Sequence, residues 1–499
     1  MENKFEFAWQ ERSSLLIGIG HHLACKNNMS NIFNVKLDSH LVFWKDNQSH
    51  AYFSEESIKR WKEEGKNFLD KEYIKRFLKE TKKLRNEFHS IINQLNIDLS
   101  KLDDASINNL LSKWYNATKN IQGVYLATQP EGTHYLTEEL KKKLKEITNK
   151  NNVEEEIKIL VSSPELDIIQ QEYIDWYNLI NKKNTIEKDF TTHAKNYASF
   201  FFNSYRWDDI ISYLSKRLKN FDKNIIKQDV LHLYNEKQKT LRIKKELLLD
   251  MPNEIEQYSK TLEEIGQERL KMKNCWSGAE LLALDLFKEI AKRKNVELEN
   301  IFTGYTIDDL HDLVTKNKFV EEDEIKRRMS HVIFHVNNGE HEFKTGTEAE
   351  NKIKEIFGIT NHEKELQVKG MTANSGVITG RAKVVLVEDI KAFSEALDNF
   401  EQEDILITTM TSPNMIPLIK KAAGIVTNEG GICSHAAVIS REITKPRRKP
   451  CIVGTKDATR VFKTGDYVLI NGETGEVQKI TREKHELMKD QLQKQLETR

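Results

Sequence analysis

Over the first three quarters of the chain, apolar residues recur every three to four positions. Behind Asp70 they fall at Ile74, Phe77, Leu78, Leu84, Phe88, Ile91, Ile92 and Leu95, the stripe of a helix that Asp70 can cap. Asp103 or Asp104 opens a second, with Ile107, Leu110, Leu111, Trp114 and Ile121 on one face. Ser163-Pro164-Glu165 predicts a third start, with proline at the first helical position, leading into Leu166, Ile168, Ile169, Tyr173, Trp176 and Leu179. The same spacing predicts helices over 186–218, 222–248, 253–273 and 277–294, and an exposed mixed-charge helix over 322–328. Phe200, Phe201, Phe202, Tyr205 and Trp207 read as core on these faces. Residues 34–44 and 51–53 suggest a small β element.

The period changes near Gly370. Ten of the 21 glycines lie between Gly370 and Gly475, and four of the seven prolines between Pro413 and Pro450. That punctuation marks a turn-rich α/β unit. Strands are predicted over 381–387, 404–409, 451–455 and 467–470, and a helix over 390–397. Another helix should follow Ser412 with Pro413 at its first position, bent by Pro417, which lacks an N–H. Asn471-Gly472 signals a tight turn, and 481–499 a charged, exposed helix. The expected fold is multidomain, a mostly α-helical N-terminal region followed by a C-terminal α/β domain. Its parts are a small mixed element (1–54), a helical substrate-binding domain (55–357), a polar linker (358–369), the α/β domain (370–480) and the last helix (481–499).

Composition narrows the class. Across 499 residues, Lys+Arg and Asp+Glu balance at 77 each, which gives no electrostatic argument for nucleic acid or an acidic membrane. No apolar run approaches the roughly 20 residues of a membrane span. The N-terminus has no basic segment leading into an apolar one, so no signal peptide is expected. Cys25, Cys275, Cys433 and Cys451 are scattered, which argues against disulfides and zinc and for a reducing cytoplasm. His21-His22 invite a metal or substrate role, against which stands the lack of an acidic neighbour in sequence.

The chemistry concentrates after Gly424. Gly424 to Val426 reads as a buried strand, Asn428 to Gly431 as a turn, and Ser434 as the N-cap of a helix running to Arg441. His435 then stands in the first turn, where unpaired N–H groups and the positive end of the dipole favour an anion. A histidine so presented can carry a phosphoryl group on a ring nitrogen.

Val426-Thr427-Asn428-Glu429-Gly430-Gly431, Cys433-Ser434-His435-Ala436-Ala437 and Ser440-Arg441-Glu442 closely resemble the phosphohistidine signature of phosphoenolpyruvate-utilising enzymes. That family includes phosphoenolpyruvate synthase, pyruvate phosphate dikinase and rifampicin phosphotransferase. Met371 to Gly380 resembles the entry to its mobile domain, and Thr411 to Pro417 an element near its histidine. The resemblance implies a swivelling phosphohistidine domain with His435 catalytic. Thr427, Gly430, Gly431, Cys433, Ser434 and Arg441 would support the phosphate and the motif. A weaker likeness, through Glu289-Ile-Ala-Lys-Arg293 and Ile301-Phe-Thr303, makes Glu268, Arg269 and Lys273 candidate substrate contacts. Two departures stand out. Asn428 replaces the usual Asp, removing a charge near the histidine, and about four extra residues with Lys445, Arg447, Arg448 and Lys449 follow the histidine helix. That insertion is either a solvated loop or a docking surface for an acidic partner or nucleotide phosphates.

A carrier needs a donor, and no Gly-x-x-x-x-Gly-Lys-Ser/Thr occurs. Nor does any segment resemble the family's nucleotide-grasp domain or its phosphoenolpyruvate-binding barrel. The expectation is a phosphotransferase component, with ATP and Mg2+ bound by a nucleotide-grasp partner or at the interface and no metal site of its own. His435 would pass the phosphoryl group to a small-molecule acceptor. The alternative is a non-catalytic binding or regulatory protein that keeps the carrier fold.

Overall fold

A computed structural model describes residues 4–27, 29–45, 48–147, 153–182, 187–202, 204–220, 223–357, 366–386, 390–411, 415–429, 440 and 449–497. The chain divides into two compact units, one of residues 1–205 and 224–358, the other of residues 206–223 and 359–499.

The first unit joins helices to an antiparallel sheet. Its strands are β1 (Phe5–Glu11), β2 (His40–Lys45), β3 (Gln48–Ser54), β4 (His331–Asn337) and β5 (Glu340–Thr345), in the order β1-β3-β2-β4-β5. β2 is apolar on both faces because both are covered. Val42 and Trp44 pack with Leu15 and Ile19 of the helix Leu15–Asn27, while Leu41 and Phe43 pack with Ala349, Ile353 and Phe357 of the helix Gly346–Phe357. This corrects the separate 1–54 element: its strands are completed by β4 and β5, some 280 residues on.

Two helix starts lie where the capping residues put them. Asp70 accepts from the N–H groups of Glu72 and Tyr73 ahead of Lys71–Gln94, and Asp103 accepts from Ser106 ahead of Asp104–Ala127. Others differ. The start expected at Ser163-Pro164 comes later, at Ile168, where Asp167 and Gln170 form a reciprocal capping box. The stretch 186–218 is not one helix. It runs as Glu187–Asn196, a 3-10 turn over Ala198–Phe201 and a separate helix Trp207–Asn220, the turn burying Ala198, Phe201 and Phe202 together. The stretch 277–294 likewise divides, into Ala279–Leu282 and Leu284–Lys294.

The second unit is built on β6 (Gln367–Lys369), β7 (Met371–Asn374), β8 (Val377–Val384), β9 (Asp404–Thr408), β10 (Gly424–Thr427), β11 (Cys451–Val453), β12 (Tyr467–Asn471) and β13 (Glu476–Ile480). Among the described residues they form one sheet, β6-β13-β12-β8-β9-β10-β11-β7. The pairs β8-β9, β9-β10 and β10-β11 are parallel, with their interior faces meeting in a core of Ala382, Ile405, Ile407, Val426, Ile452 and Val468.

Three expectations change here. Residues 367–369 are a strand paired with β13 rather than part of a linker; 358–365 lie outside the described residues. Residues 206–223 belong with this unit, not with the helical one: Trp207–Asn220 packs on Ile390–Asn399, with Tyr213 and Phe393 rings 5.4 Å apart and Lys216 2.8 Å from Asp398. Pro417 does not bend a helix, because Ile416–Lys421 begins there and an N–H is not needed in its first turn; Ser412 and Pro413 lie outside the described residues. Among the described side chains of the last helix, Arg482–Glu497, His485 is buried and meets Thr379 Oγ1 at 3.0 Å and the Tyr467 ring at 4.7 Å, and Lys489 pairs with Glu403 at 2.6 Å.

Candidate functional site

Parallel strands leave their turns at one edge of the sheet, and ligand chemistry in open α/β folds collects at those carboxyl ends. Thr408 and Thr427 are register partners at the ends of β9 and β10. Each hydroxyl donates to the carbonyl two residues on, Thr408 to Met410 at 2.9 Å and Thr427 to Glu429 at 2.6 Å. The chains stay paired past the strands: the N–H of Asn428 donates to Thr408 O at 3.0 Å, and that of Glu429 to Thr409 O at 2.9 Å. Two matched turns thus close the carboxyl ends of β9 and β10.

Of the predicted motif residues, Thr427 alone is described. It is fully buried, and its hydroxyl is used inside the turn rather than offered to a ligand. Gly430, Gly431, Cys433, Ser434, His435 and Arg441 lie outside the described residues.

Asn428, the family's usual Asp, has a structural task. Its Nδ2 donates to Thr459 Oγ1 at 2.6 Å, and its Oδ1 accepts from the Thr459 N–H at 3.0 Å. The amide is buried and pins the turn of Ala458–Val461 beside β10. The Thr427 carbonyl is held from the same side, by the N–H and hydroxyl of Thr455 at 3.1 and 2.9 Å.

The basic insertion leaves and returns at points held by one side chain. Asn374 Nδ2, on β7, lies 3.4 Å from Ser440 O and 2.8 Å from Lys449 O. Lys449 is not a docking cation. Its Nζ donates to the Ile419 and Lys420 carbonyls at 3.0 and 2.6 Å, closing the C-terminus of Ile416–Lys421. Burial lowers its pKa to about 8. Lys445, Arg447 and Arg448 lie outside the described residues.

In the first unit the three candidate substrate contacts separate onto two faces of the helix Asn253–Trp276. Glu268 turns toward the helix Lys71–Gln94, where Arg85 binds it through two parallel bonds of 3.1 Å and Thr81 donates at 3.1 Å. Glu268 is therefore committed to a partly buried ion pair and is not available to a substrate. Arg269 and Lys273 face Tyr125 instead. Arg269 donates to Gln129 Oε1 at 2.8 Å and its guanidinium lies 5.7 Å from the centre of the Tyr125 ring. Burial raises the Tyr125 pKa, but Arg269 and Lys273 outweigh it and leave the phenol below its ordinary value.

Sequence reasoning missed Tyr125, Trp276 and Glu280. Glu280 is fully buried between the Ser14 hydroxyl and the Tyr205 hydroxyl, the latter at 3.3 Å, and burial lifts its pKa to about 7. It sits in an apolar stretch, Ala279-Glu-Leu-Leu282, and that lone carboxylate among apolar residues was the available signal. His21 and His22 are both buried, with His22 Nδ1 2.8 Å from His40 Nδ1. Among the described residues no three His, Cys, Asp or Glu side chains are grouped to hold a metal ion, and no helix is long and apolar enough to cross a membrane.

Comparison with known proteins bears on the second unit. Residues 400–475 match the family described as PEP-utilising enzyme, mobile domain. The chain is 47% identical over 117 residues to phosphoenolpyruvate synthase of Pyrococcus furiosus, which covers 23% of this chain and 13% of that one. It is 41% identical over 128 residues to a probable phosphoenolpyruvate synthase of Archaeoglobus fulgidus, covering 26% and 15%. To phosphoenolpyruvate synthase of Aquifex aeolicus it is 42% identical over 135 residues, covering 26% and 14%. These matches therefore span only about a seventh of each relative's length. On the strength of these matches the chain carries, over residues 400–475, the mobile domain of the phosphoenolpyruvate-utilising enzymes.

Proposed function

We propose that this protein is a phosphotransferase component in which His435 carries a phosphoryl group between ATP and a small-molecule acceptor. The observation that carries the reading is the match of residues 400–475 to the mobile domain, with His435 inside the Gly-Gly-Ile-Cys-Ser-His-Ala-Ala motif. The neutral imidazole attacks phosphorus, forming an N–P bond as the bond to the leaving phosphate oxygen breaks. An acceptor hydroxyl oxygen then attacks the same phosphorus. The N–P bond breaks, and the hydroxyl proton passes to solvent. ATP and Mg2+ belong to a nucleotide-grasp partner, and no described residue of this chain is assigned to either.

Labelled ATP, Mg2+ and the candidate partner should place acid-labile, base-stable label on the wild-type chain. His435→Ala should carry none. Retention of label by His435→Ala overturns the assignment. A wild-type chain that takes no label from any nucleotide-grasp protein supports the non-catalytic alternative.

A further inference from the structure

The chain leaves the first unit for residues 206–223 and returns to it at Asn224. The helix Trp207–Asn220 in that excursion has one buried face. Ile210, Tyr213, Leu214 and Arg217 stand at i, i+3, i+4 and i+7, and all are buried. Its partner, Ile390–Asn399, buries Phe393 and Leu397 one turn apart. The Tyr213 and Phe393 rings meet across the contact, and Lys216 pairs with Asp398 at its solvent edge.

The crossing at the start of this helix is short. Tyr205 is fixed in the first unit, where its ring stacks on Phe302 with centres 3.9 Å apart and its hydroxyl lies 3.3 Å from Glu280. Trp207 already begins the helix of the second unit, so Arg206 is the one residue between them. At about 3.6 Å per extended residue, the Cα atoms of Tyr205 and Trp207 can never lie more than about 7 Å apart. On the far side the chain re-enters the first unit in the helix Lys223–Leu248. Lys237 and Lys244 of that helix reach Gln170 Oε1 at 3.1 Å and Glu263 at 2.6 Å.

We propose that Trp207–Asn220 is a clasp that holds the second unit to the first independently of the chain at 358–365. Connections at 205–206 and 223–224 act beside the one at 358–359. While the helix stays packed, a carrier can make only those motions that keep Trp207 within reach of Tyr205. Rotation about Arg206 satisfies this, since a hinge needs only a few backbone angles to change at the end of an element. A free swing on one linker does not. The apolar stripe carries the hold, because the Lys216–Asp398 pair is solvated and adds little. The inference rests on the carrier reading only for what the motion serves; attachment is measured without phosphoryl transfer.

The test is a specific-protease site inserted between Asn361 and His362 of the full chain. One cut there leaves Trp207–Asn220 on the first fragment and Ile390–Asn399 on the second. Size-exclusion chromatography with light scattering, at micromolar concentration, should find the cut and uncut chains at the same mass. Ile210→Ala combined with Tyr213→Ala should weaken the hold at least about 100-fold, so that the cut variant elutes as two fragments. Lys216→Met should remain joined after cutting. Circular dichroism of the uncut variants checks that each is folded. Separation of the cut wild type or of cut Lys216→Met, or a double variant that stays joined, overturns the proposal. Joined fragments that take no label on His435 keep the clasp and count against the carrier reading; separated fragments that take label do the reverse.

Discussion

Lowering the pH from 7 to 5 should destabilise the first unit by at least about 2 kcal/mol, and the reason is a contest between buried histidines and one buried glutamate. His21 and His40 have folded pKa values lowered by burial to about 3, against about 6.5 when unfolded. The unfolded chain therefore binds more protons below pH 6.5. Stability contributed by the neutral rings is present above that pH and is lost as the pH falls. Between pH 7 and 5 each histidine costs about 2 kcal/mol, so the pair costs about 4. Glu280 acts the other way. Its folded pKa is raised to about 7, so the folded state binds the extra proton, and acidification over the same range returns about 2 kcal/mol. His22, held well below its ordinary value by burial and by His40, adds to the loss. Urea unfolding followed by tryptophan emission reads this unit selectively, because six of the seven tryptophans lie in it and Trp9 and Trp276 flank His21. Glu280→Gln removes the offset, so its loss between pH 7 and 5 should be about 4 kcal/mol instead of about 2. Equal slopes for the two proteins, or a wild type unchanged down to pH 5, would refute the reasoning.

Other outcomes follow from single contacts. Asn428→Ala leaves the Thr459 N–H without its buried acceptor and should cost about 1–3 kcal/mol in a urea melt of the second unit, whereas Asn428→Asp, which still accepts from Thr459, should cost less. Glu268→Gln strands Arg85 in a partly buried place and should cost about 2–3 kcal/mol, read as a fall in Tm, while labelling of His435 at permissive temperature stays at the wild-type level. Calorimetric titration of the chain alone with Mg-ATP should show no micromolar site, in keeping with the lack of a phosphate-binding loop motif.

How much of this was legible in the sequence depends on how local its cause is. Asp70 and Asp103 announce their helices because a cap and a stripe lie within a few residues of each other. The strands β9 and β10 were readable because a short apolar run bounded by turns has few other uses. β4 and β5 were not, since the pairing that joins them to β2 closes across almost 300 residues; β1, whose Phe5, Phe7 and Trp9 alternate with Glu6, Ala8 and Gln10, went unread beside its nearby partner β3. At the candidate site, the glycines and histidine are a local signature. The fate of Glu268 and Arg269 is not, because adjacent residues on a helix point about 100° apart and each answers to a different neighbouring helix. Asn428 shows the same limit: the sequence reveals a missing charge, and only the fold reveals Thr459 as its partner.

The place of Trp207–Asn220 has a consequence for how the protein is made. Its partner Ile390–Asn399 lies 170 residues further along the chain. A ribosome adding about 5–20 residues per second needs roughly 10 to 35 seconds to deliver it. During that interval Ile210, Tyr213 and Leu214, all buried in the finished protein, have no surface to cover them. The first unit waits too, since β2 meets β4 only after 331 has emerged. Neither unit can close in the order of synthesis, and until β4 and β5 have been made the nascent chain carries two unfinished cores at once.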